Sequence, residues 1–379
     1  MEVEVTVVDP PNIRRYERLL PGERPVRFLE PDGKPSESCD GADRYSLPDS
    51  DRLVDMYRGM VLGRRFDRQA TALTKQGRLA VYPSSRGQEA CQIAAAQCLR
   101  SSDWLFPTYR DAVALTARGV DPVEVLTLLA GDWHCGYDPV ATRCAPQCTP
   151  LATQLLHAAG LAYGEARQGR DTVALALCGD GATSEGDFHE ALNFAAVFGA
   201  PVVFLVQNNG FAISVPLARQ SVAPSLAHKG IGYGIAGEQV DGNDPIAMLA
   251  VLDEAVRYAR AGRGPYLIEA HTYRIDAHTN ADDASRYRAE DEVREWLARD
   301  PLSRLETYLR DLGAIDDDFV SAVAATAEEE AATLRRRMNV DRPADPDELF
   351  RHVFAEPTPQ LREQLTQMRA EQAAQTPED

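Results

Sequence analysis

The stretch GDGATSEGDFHEALNFAAVFGAPVVFLVQNNG, from Gly179 to Gly210, sets a carboxylate, Asp180, between two glycines and ends near a pair of amides, Asn208 and Asn209. Asp180 closes one short apolar run, TVALALC, and the asparagines close another, PVVFLVQ. Between the runs Phe188, Ala191, Leu192, Ala195 and Phe198 recur at helical spacing. Ser184 and Asp187 offer N-terminal caps and Gly199 a stop. This is a βαβ pattern, which puts the acid and the amides at the carboxyl ends of neighbouring parallel strands, where open α/β sheets bind ligands. A carboxylate with an amide carbonyl is a hard-oxygen pair, too sparse to cage calcium. It suits magnesium, which keeps water and takes other ligands from phosphates. Gly179 and Gly181 permit close backbone approach, and the helix N-terminus beyond them favours negative charge. The chemistry predicted is capture of a metal-bound diphosphate. Either piece alone is more often a turn former; their joint placement is what carries the reading.

A dinucleotide site competes. The glycines of GDGATSEG fall at 179, 181 and 186, with Ser184 where that fingerprint needs glycine or alanine. GYGIAG at 232–237 fits the fingerprint literally, but it precedes an apolar run and opens no helix, so it is a decoy.

The surrounding chain must hold those strand ends. A second βαβ unit follows: IAGEQVDG, a helix across DPIAMLAVLDEAVRYARAG, then PYLIEAHTYRI. The alternation predicts an α/β fold with a doubly wound, mainly parallel sheet. Ahead of it, helices are expected in DRLVDMYRGMVLGRRFDRQATALTKQG, in GQEACQIAAAQCL and from Leu151 to Arg167, with a long loop at 131–154. Residues 1–50, rich in proline and charge, read as an N-terminal arm with one strand at PVRFLE. The α/β domain is expected over 51–290 and a charged helical region over 291–357, including DDFVSAVAATAEEEAATLRRRM. A loosely held tail follows over 358–379.

Composition bounds the partners. With 379 residues the chain can bury a large core, and its formal charge of -18 repels nucleic acid and anionic membranes. No basic start followed by an apolar core opens the sequence, and its apolar runs are too short to span a bilayer. A cytoplasmic protein is expected. Seven cysteines suit reduced core thiols better than a disulfide framework.

GDG followed about thirty residues later by NN resembles the thiamine-diphosphate binding motif. With YRDA at Tyr109, TPLATQ at Thr149, QNNGFAIS at Gln207, QVDGND at Gln239 and TYRIDAHTNADD at Thr272, the chain resembles one branch of that family from about Asp51 to Leu309. That branch is the alpha chain of the decarboxylating component of 2-oxo acid dehydrogenase complexes. The resemblance implies a sheet of the thiamine-diphosphate-binding type. Asp180, Asn209 and the carbonyl of Phe211 would hold magnesium against the diphosphate. Tyr109 and Arg110 would contact phosphate, Arg110 with a fixed fork of donors. Leu151 would be the apolar wedge that bends the cofactor, with Thr149 beside it, and Gly181 and Ala182 would give backbone contacts. Gln207 stands near the diphosphate, where some relatives place arginine. Some relatives also bind potassium around Thr149, which would involve Thr153 and Gln154. His278 would be the catalytic loop histidine, managing protons while the cofactor acts as carbanion sink.

The same resemblance implies partners. The carboxylate that activates the cofactor comes from a second α/β domain, and this chain has room for one such sheet. A beta chain in an α2β2 heterotetramer would supply it. The implied reaction is oxidative decarboxylation of a 2-oxo acid with acyl transfer to the lipoyl arm of a transacylase core. The wedge region and TYRI lean toward branched-chain 2-oxo acids, with pyruvate as the alternative. A noncatalytic paralogue that binds a partner chain and a nicotinamide-dependent oxidoreductase are the rival classes. Asp276 and Ala277 precede His278 where many relatives differ, and an inward carboxylate at 276 would repel an anionic substrate. Thr279 matches a serine that kinases modify in some relatives, although an unmodified loop threonine is the simpler reading. His134, Cys135, Cys144 and Cys148 invite a zinc reading that their lack of paired C-x-x-C spacing weakens.

Overall fold

Helix α1 (Ser50–Lys75) starts where the Asp49 side chain accepts the N–H of Arg52 at 2.9 Å, and α2 (Glu89–Gln97) follows it. Next come β1 (Trp104–Phe106), α3 (Ala112–Ala117), α4 (Pro122–Thr127), α5 (Thr153–Arg167), β2 (Ala174–Gly179), α6 (Gly186–Phe198) and β3 (Val202–Asn208). A small hairpin, β4 (Phe211–Ala212) and β5 (Val215–Pro216), leads to β6 (Ala236–Asp241), α7 (Pro245–Tyr258) and β7 (Tyr266–His271). Helices α8 (Glu290–Leu297), α9 (Pro301–Asp311) and α10 (Asp317–Met338) follow. The structure, a computed structural model, describes residues 19–37, 44–132, 134–339 and 345–375. It divides into two units, 1–335 and 336–379.

The main sheet has the order β1-β2-β3-β7-β6, and every pairing in it is parallel. Both expected βαβ units are present: β2-α6-β3 and β6-α7-β7 each join neighbouring strands. Ala174, Ala176, Cys178, Val202, Phe204 and Val206 point to one face, against Leu155, Ala158 and Ala162 of α5 and Phe188, Ala191, Leu192 and Ala195 of α6. The alternate residues, Leu175, Leu177, Val203 and Leu205, are equally buried on the other face, where α7 packs against the sheet and α2 packs on α7. Covering both faces is why these strands read as continuous apolar runs. At residues 232–237 the GYGIAG segment passes through a left-handed Gly234 directly into β6 and opens no helix.

Four local expectations are corrected. PVRFLE does not form a strand: Val26 makes a single bridge to Val240, and Phe28 and Leu29 donate their N–H groups to Asp244 at 2.6 and 2.7 Å. Helix α5 starts at Thr153, two residues later than expected, because Ala152 takes a left-handed φ of 67°. Neither Ser184 nor Asp187 caps α6: Glu185 holds that position without a side-chain bond, and Asp187 accepts from Thr153 Oγ1 at 3.1 Å. Phe198, expected on the buried face, is 49 % exposed, since it lies in the last turn before the left-handed stop at Gly199. In the second unit the tail beyond Pro357 forms helix α11 (Pro359–Gln375), and Arg369 Nε donates to Asp347 at 3.0 Å. Among the described residues no helix is long and apolar enough to cross a membrane.

Candidate active site

Asp180 follows the last residue of β2 and is almost fully buried. Its Oδ2 accepts from Gln220 Nε2 at 2.7 Å, while Oδ1 has no hydrogen-bond partner. Burial pushes its carboxyl pKa up, with the Gln220 bond opposing that rise. A buried carboxylate oxygen left unpaired is costly, so the position fits a cation. The two asparagines at the end of β3 separate cleanly. Asn208 turns away, donating to Glu269 at 2.7 Å and accepting from Gly210 N, whereas Asn209 faces the same cleft as Asp180. Across the β4–β5 pair Phe211 faces Pro216 at a non-hydrogen-bonded position, flanked by the bond from Leu217 N to Gly210 O at 2.9 Å, so the Phe211 carbonyl points away from β5. Gly181 is required here by contact: a Cβ at that position would lie 2.7 Å from the Cβ of Ala212.

The other wall is cationic. Arg110 is buried, donating through Nη1 to the Ser84 carbonyl at 2.9 Å and through Nη2 toward His278 Nδ1 at 3.0 Å and the His278 carbonyl at 3.1 Å. Arg274, also buried, approaches the same Nδ1 with Nη1 at 3.2 Å and donates through Nη2 to Ile213 O and Tyr287 Oη, each at 2.8 Å. None of these bonds goes to a carboxylate, so two buried guanidiniums bring positive charge into a cleft of an acidic chain. That is the electrostatic complement of a bound anion. Burial first, then Arg110 and Arg274, lower the pKa of His278 to about 4. Two donors at Nδ1 require an acceptor there, so neutral His278 carries its proton on Nε2. Its loop is tied down by the Asp282 carboxylate, which accepts the His278 N–H at 2.7 Å and the Tyr287 hydroxyl.

The strand ends enclose a cleft of about 150 Å³. Tyr109, Arg110, Leu151, Asp180, Gly181, Ala182, Gln207, Asn209, Phe211 and His278 all line it. Thr149 does not: it is exposed, and its neighbours Cys148 and Pro150 take the wall positions. Leu151 is 41 % exposed, and the left-handed turn at Ala152 holds it at the cleft before α5 begins. Gln154 donates to Leu177 O at 2.7 Å and leaves its own buried Oε1 unpaired. Gln207 joins Gln88 and Asp111 in hydrogen bonds within the wall.

Gln88, Gln220, Ile213 and Arg274 are site residues that sequence reasoning did not single out. Gln88 and Gln220 carry no local signal, since each meets its partner across a long stretch of chain. Arg274 did carry one: a charged residue inside TYRI, directly after an apolar strand. Asp276 is not among the cleft residues; it accepts from Ser84 Oγ at 2.8 Å and pairs with Arg86 at 3.4 Å. The loop thiols turn to local carbonyls, Cys135 to Tyr137, Cys144 to Thr142 and Cys148 to Pro150. Among the described residues no group of three or more His, Cys, Asp or Glu side chains could hold a metal ion.

A parallel sheet whose strand ends present an unpaired carboxylate oxygen, an amide and a cationic wall around a neutral histidine agrees with what sequence comparison finds. Residues 57–335 match the model of the dehydrogenase E1 component, and the chain belongs to that thiamine-diphosphate-dependent family. It is 48 % identical over 351 residues to the 3-methyl-2-oxobutanoate dehydrogenase subunit alpha of Mycobacterium tuberculosis, covering 92 % of this chain and 94 % of that one. Similarity to pyruvate dehydrogenase E1 component alpha subunits is lower. That of Acholeplasma laidlawii is 39 % identical, covering 82 % and 91 % of the two chains, and that of Staphylococcus aureus is 38 % identical, covering 74 % and 77 %.

Proposed function

We propose that this chain is the alpha subunit of a branched-chain 2-oxo acid dehydrogenase. It works with a beta subunit in an α2β2 heterotetramer and passes the acyl group to the lipoyl arm of a transacylase core. The observation that carries the reading is the buried, unpartnered Oδ1 of Asp180, which lines a cleft walled also by Asn209 and two guanidiniums. Asp180, Asn209 and the Phe211 carbonyl would hold magnesium, an all-oxygen donor set of the kind that ion prefers. Gly181 and Ala182, with Tyr109 and Arg110, would receive the diphosphate. Gln154, whose buried Oε1 lacks a partner, and Thr153 would serve a potassium ion in the turn beyond Thr149.

When bound, thiamine diphosphate supplies the electron sink for the carbanion left as carbon dioxide departs. The chain's own residues prepare for that event. Leu151 and Ile213 place apolar surface at the cleft. His278, held neutral with its proton on Nε2, offers a hydrogen-bond donor to an anionic substrate. Because its pKa lies near 4 it does not take up a proton at neutral pH. With Asp276 paired to Arg86 and absent from the cleft lining, the carboxylate that could repel a 2-oxo acid is directed elsewhere.

Co-expression with the beta chain, followed by rate measurement on 3-methyl-2-oxobutanoate and on pyruvate with lipoyl acceptor, tests the substrate. The branched acid is expected to give the higher kcat/KM. A preference for pyruvate would move the chain to the other branch, and cofactor binding without turnover would mark a noncatalytic relative.

A further inference from the structure

Four side chains make a chain of amide hydrogen bonds through the wall of the cleft. Gln207 Nε2 donates to Asp111 Oδ1 at 2.7 Å, and Gln88 Nε2 donates to Gln207 Oε1 at 3.0 Å. Asn209 Nδ2 donates to Gln88 Oε1 at 3.1 Å, and Asn209 Oδ1 accepts the Phe211 N–H at 3.2 Å. All four residues are buried.

Both ends of this chain have fixed polarity. The Phe211 N–H can only donate. At the far end Asp111 is held as an acceptor: its Oδ2 receives the Thr108 N–H and the Thr108 hydroxyl, each at 2.7 Å. That hydroxyl itself accepts from Arg110 N at 3.1 Å, so its own proton is free for Asp111. An amide offers a donor on one side and an acceptor on the other. Once Asp111 demands a donor, Gln207 must present Nε2 to it and Oε1 to Gln88. Gln88 must then present Oε1 to Asn209, and Asn209 must present Nδ2 to Gln88. Only its oxygen is left to face Phe211 and the cleft, with one lone pair still free.

We infer that Asp111, Gln207 and Gln88 are positioning residues that fix the amide of Asn209 with its oxygen toward the metal site. This rests on the proposed role of Asn209 as a magnesium ligand. An amide turned the other way would offer N–H to a cation, which is no ligand at all. The polarity of the whole chain is therefore set by a carboxylate that does not reach the metal.

The test is Mn²⁺ affinity, read by electron paramagnetic resonance on the complex with its beta chain in the presence of thiamine diphosphate; Mn²⁺ shares the oxygen preference of magnesium. In Asp111→Asn the amide oxygen is claimed by the Thr108 donors, so Nδ2 meets Gln207 Nε2, donor against donor, and the chain must reverse. Affinity is expected to fall by about 10- to 100-fold, as when groups that orient a metal ligand are lost. Adding Gln207→Glu gives an acceptor at both ends of that side chain and should restore affinity to within about threefold. A double variant as weak as the single one, or a single variant that binds like wild type, overturns the inference. If Asp111→Asn does not assemble, Gln88→Met against the pair Gln88→Glu with Asp111→Asn decides. In the pair Gln207 turns to accept from position 111 and donate to position 88, so every donor meets an acceptor and Asn209 still finds an acceptor for Nδ2; the pair should keep affinity, the methionine should lose it, and equal affinities overturn the inference. A wild-type complex that binds no Mn²⁺ would instead refute the metal site itself.

Discussion

Arg110 places Nη2 3.0 Å from Nδ1 of His278 and 3.1 Å from the carbonyl oxygen of the same residue. One guanidinium thus fixes both the ring and the backbone of the loop, and it settles which ring nitrogen holds the proton. With Arg274 at 3.2 Å from the same nitrogen, protonation there would put three positive charges together in a buried space.

The pH behaviour follows from that arrangement. The folded pKa of His278, about 4, lies below the ordinary value of about 6.5. Between those values the unfolded chain binds more protons, so the stability associated with neutral His278 is complete above about pH 6.5 and is lost as pH falls toward 4. Proton NMR titration should find the ring neutral throughout pH 5.5–8. In Arg110→Met the pKa should rise but stay below about 6.5, because burial remains. His278→Ala, which removes the Nε2–H donor, should lower kcat by a factor on the order of 10² to 10³; unchanged turnover would remove the residue from the mechanism.

Helix α6 allows a contrast between two phenylalanines on one helix. Phe188 is fully buried between α6 and the sheet, whereas Phe198 is half exposed and stacks on Phe194 at 5.9 Å between ring centroids. Phe188→Ala should cost about 3–5 kcal/mol of stability. Phe198→Ala should cost less than about half of that, measured by urea unfolding of the same preparation. Equal losses would mean that Phe198 is covered in the folded protein.

Gly181→Ala probes the turn after β2. Its new Cβ would sit 2.7 Å from the Cβ of Ala212, so the β4 segment that carries Phe211 must move. Overpacking of this kind costs about 1–3 kcal/mol. The affinity for thiamine diphosphate should fall as well, read by tryptophan fluorescence; a variant with wild-type stability and affinity would show that the contact is slack.

Much of this was legible in the sequence because strong patterns have few solutions. Two apolar runs around a helix-spaced set of residues leave only a parallel βαβ unit, and that unit dictates where Asp180 and Asn209 lie. Element ends were less legible. The start of α5 depends on Ala152 adopting a left-handed backbone, which no residue type announces in the way glycine does. The uncapped start of α6 depends on Thr153 claiming Asp187 from another helix. PVRFLE has strand composition, but the edge of β6 offers it only a bridge at Val26.

The supporting residues of the site were not legible for a related reason. Gln88 meets Asn209 across 121 positions, and Gln220 meets Asp180 across 40. Hydrogen bonds of that span follow from tertiary packing and leave no trace in local spacing. Which of two adjacent asparagines enters the cleft is likewise decided by Glu269, a buried carboxylate on β7 that claims Asn208.

Calorimetric titration of the dialysed complex with thiamine diphosphate, with and without magnesium, tests the central claim most directly. Wild type should bind the cofactor only when magnesium is present, and Asp180→Asn should weaken that binding by about 100-fold or more, beyond the loss expected for an indirect ligand contact. Magnesium-independent binding, or an Asp180→Asn protein with wild-type affinity, would contradict the assignment of this cleft.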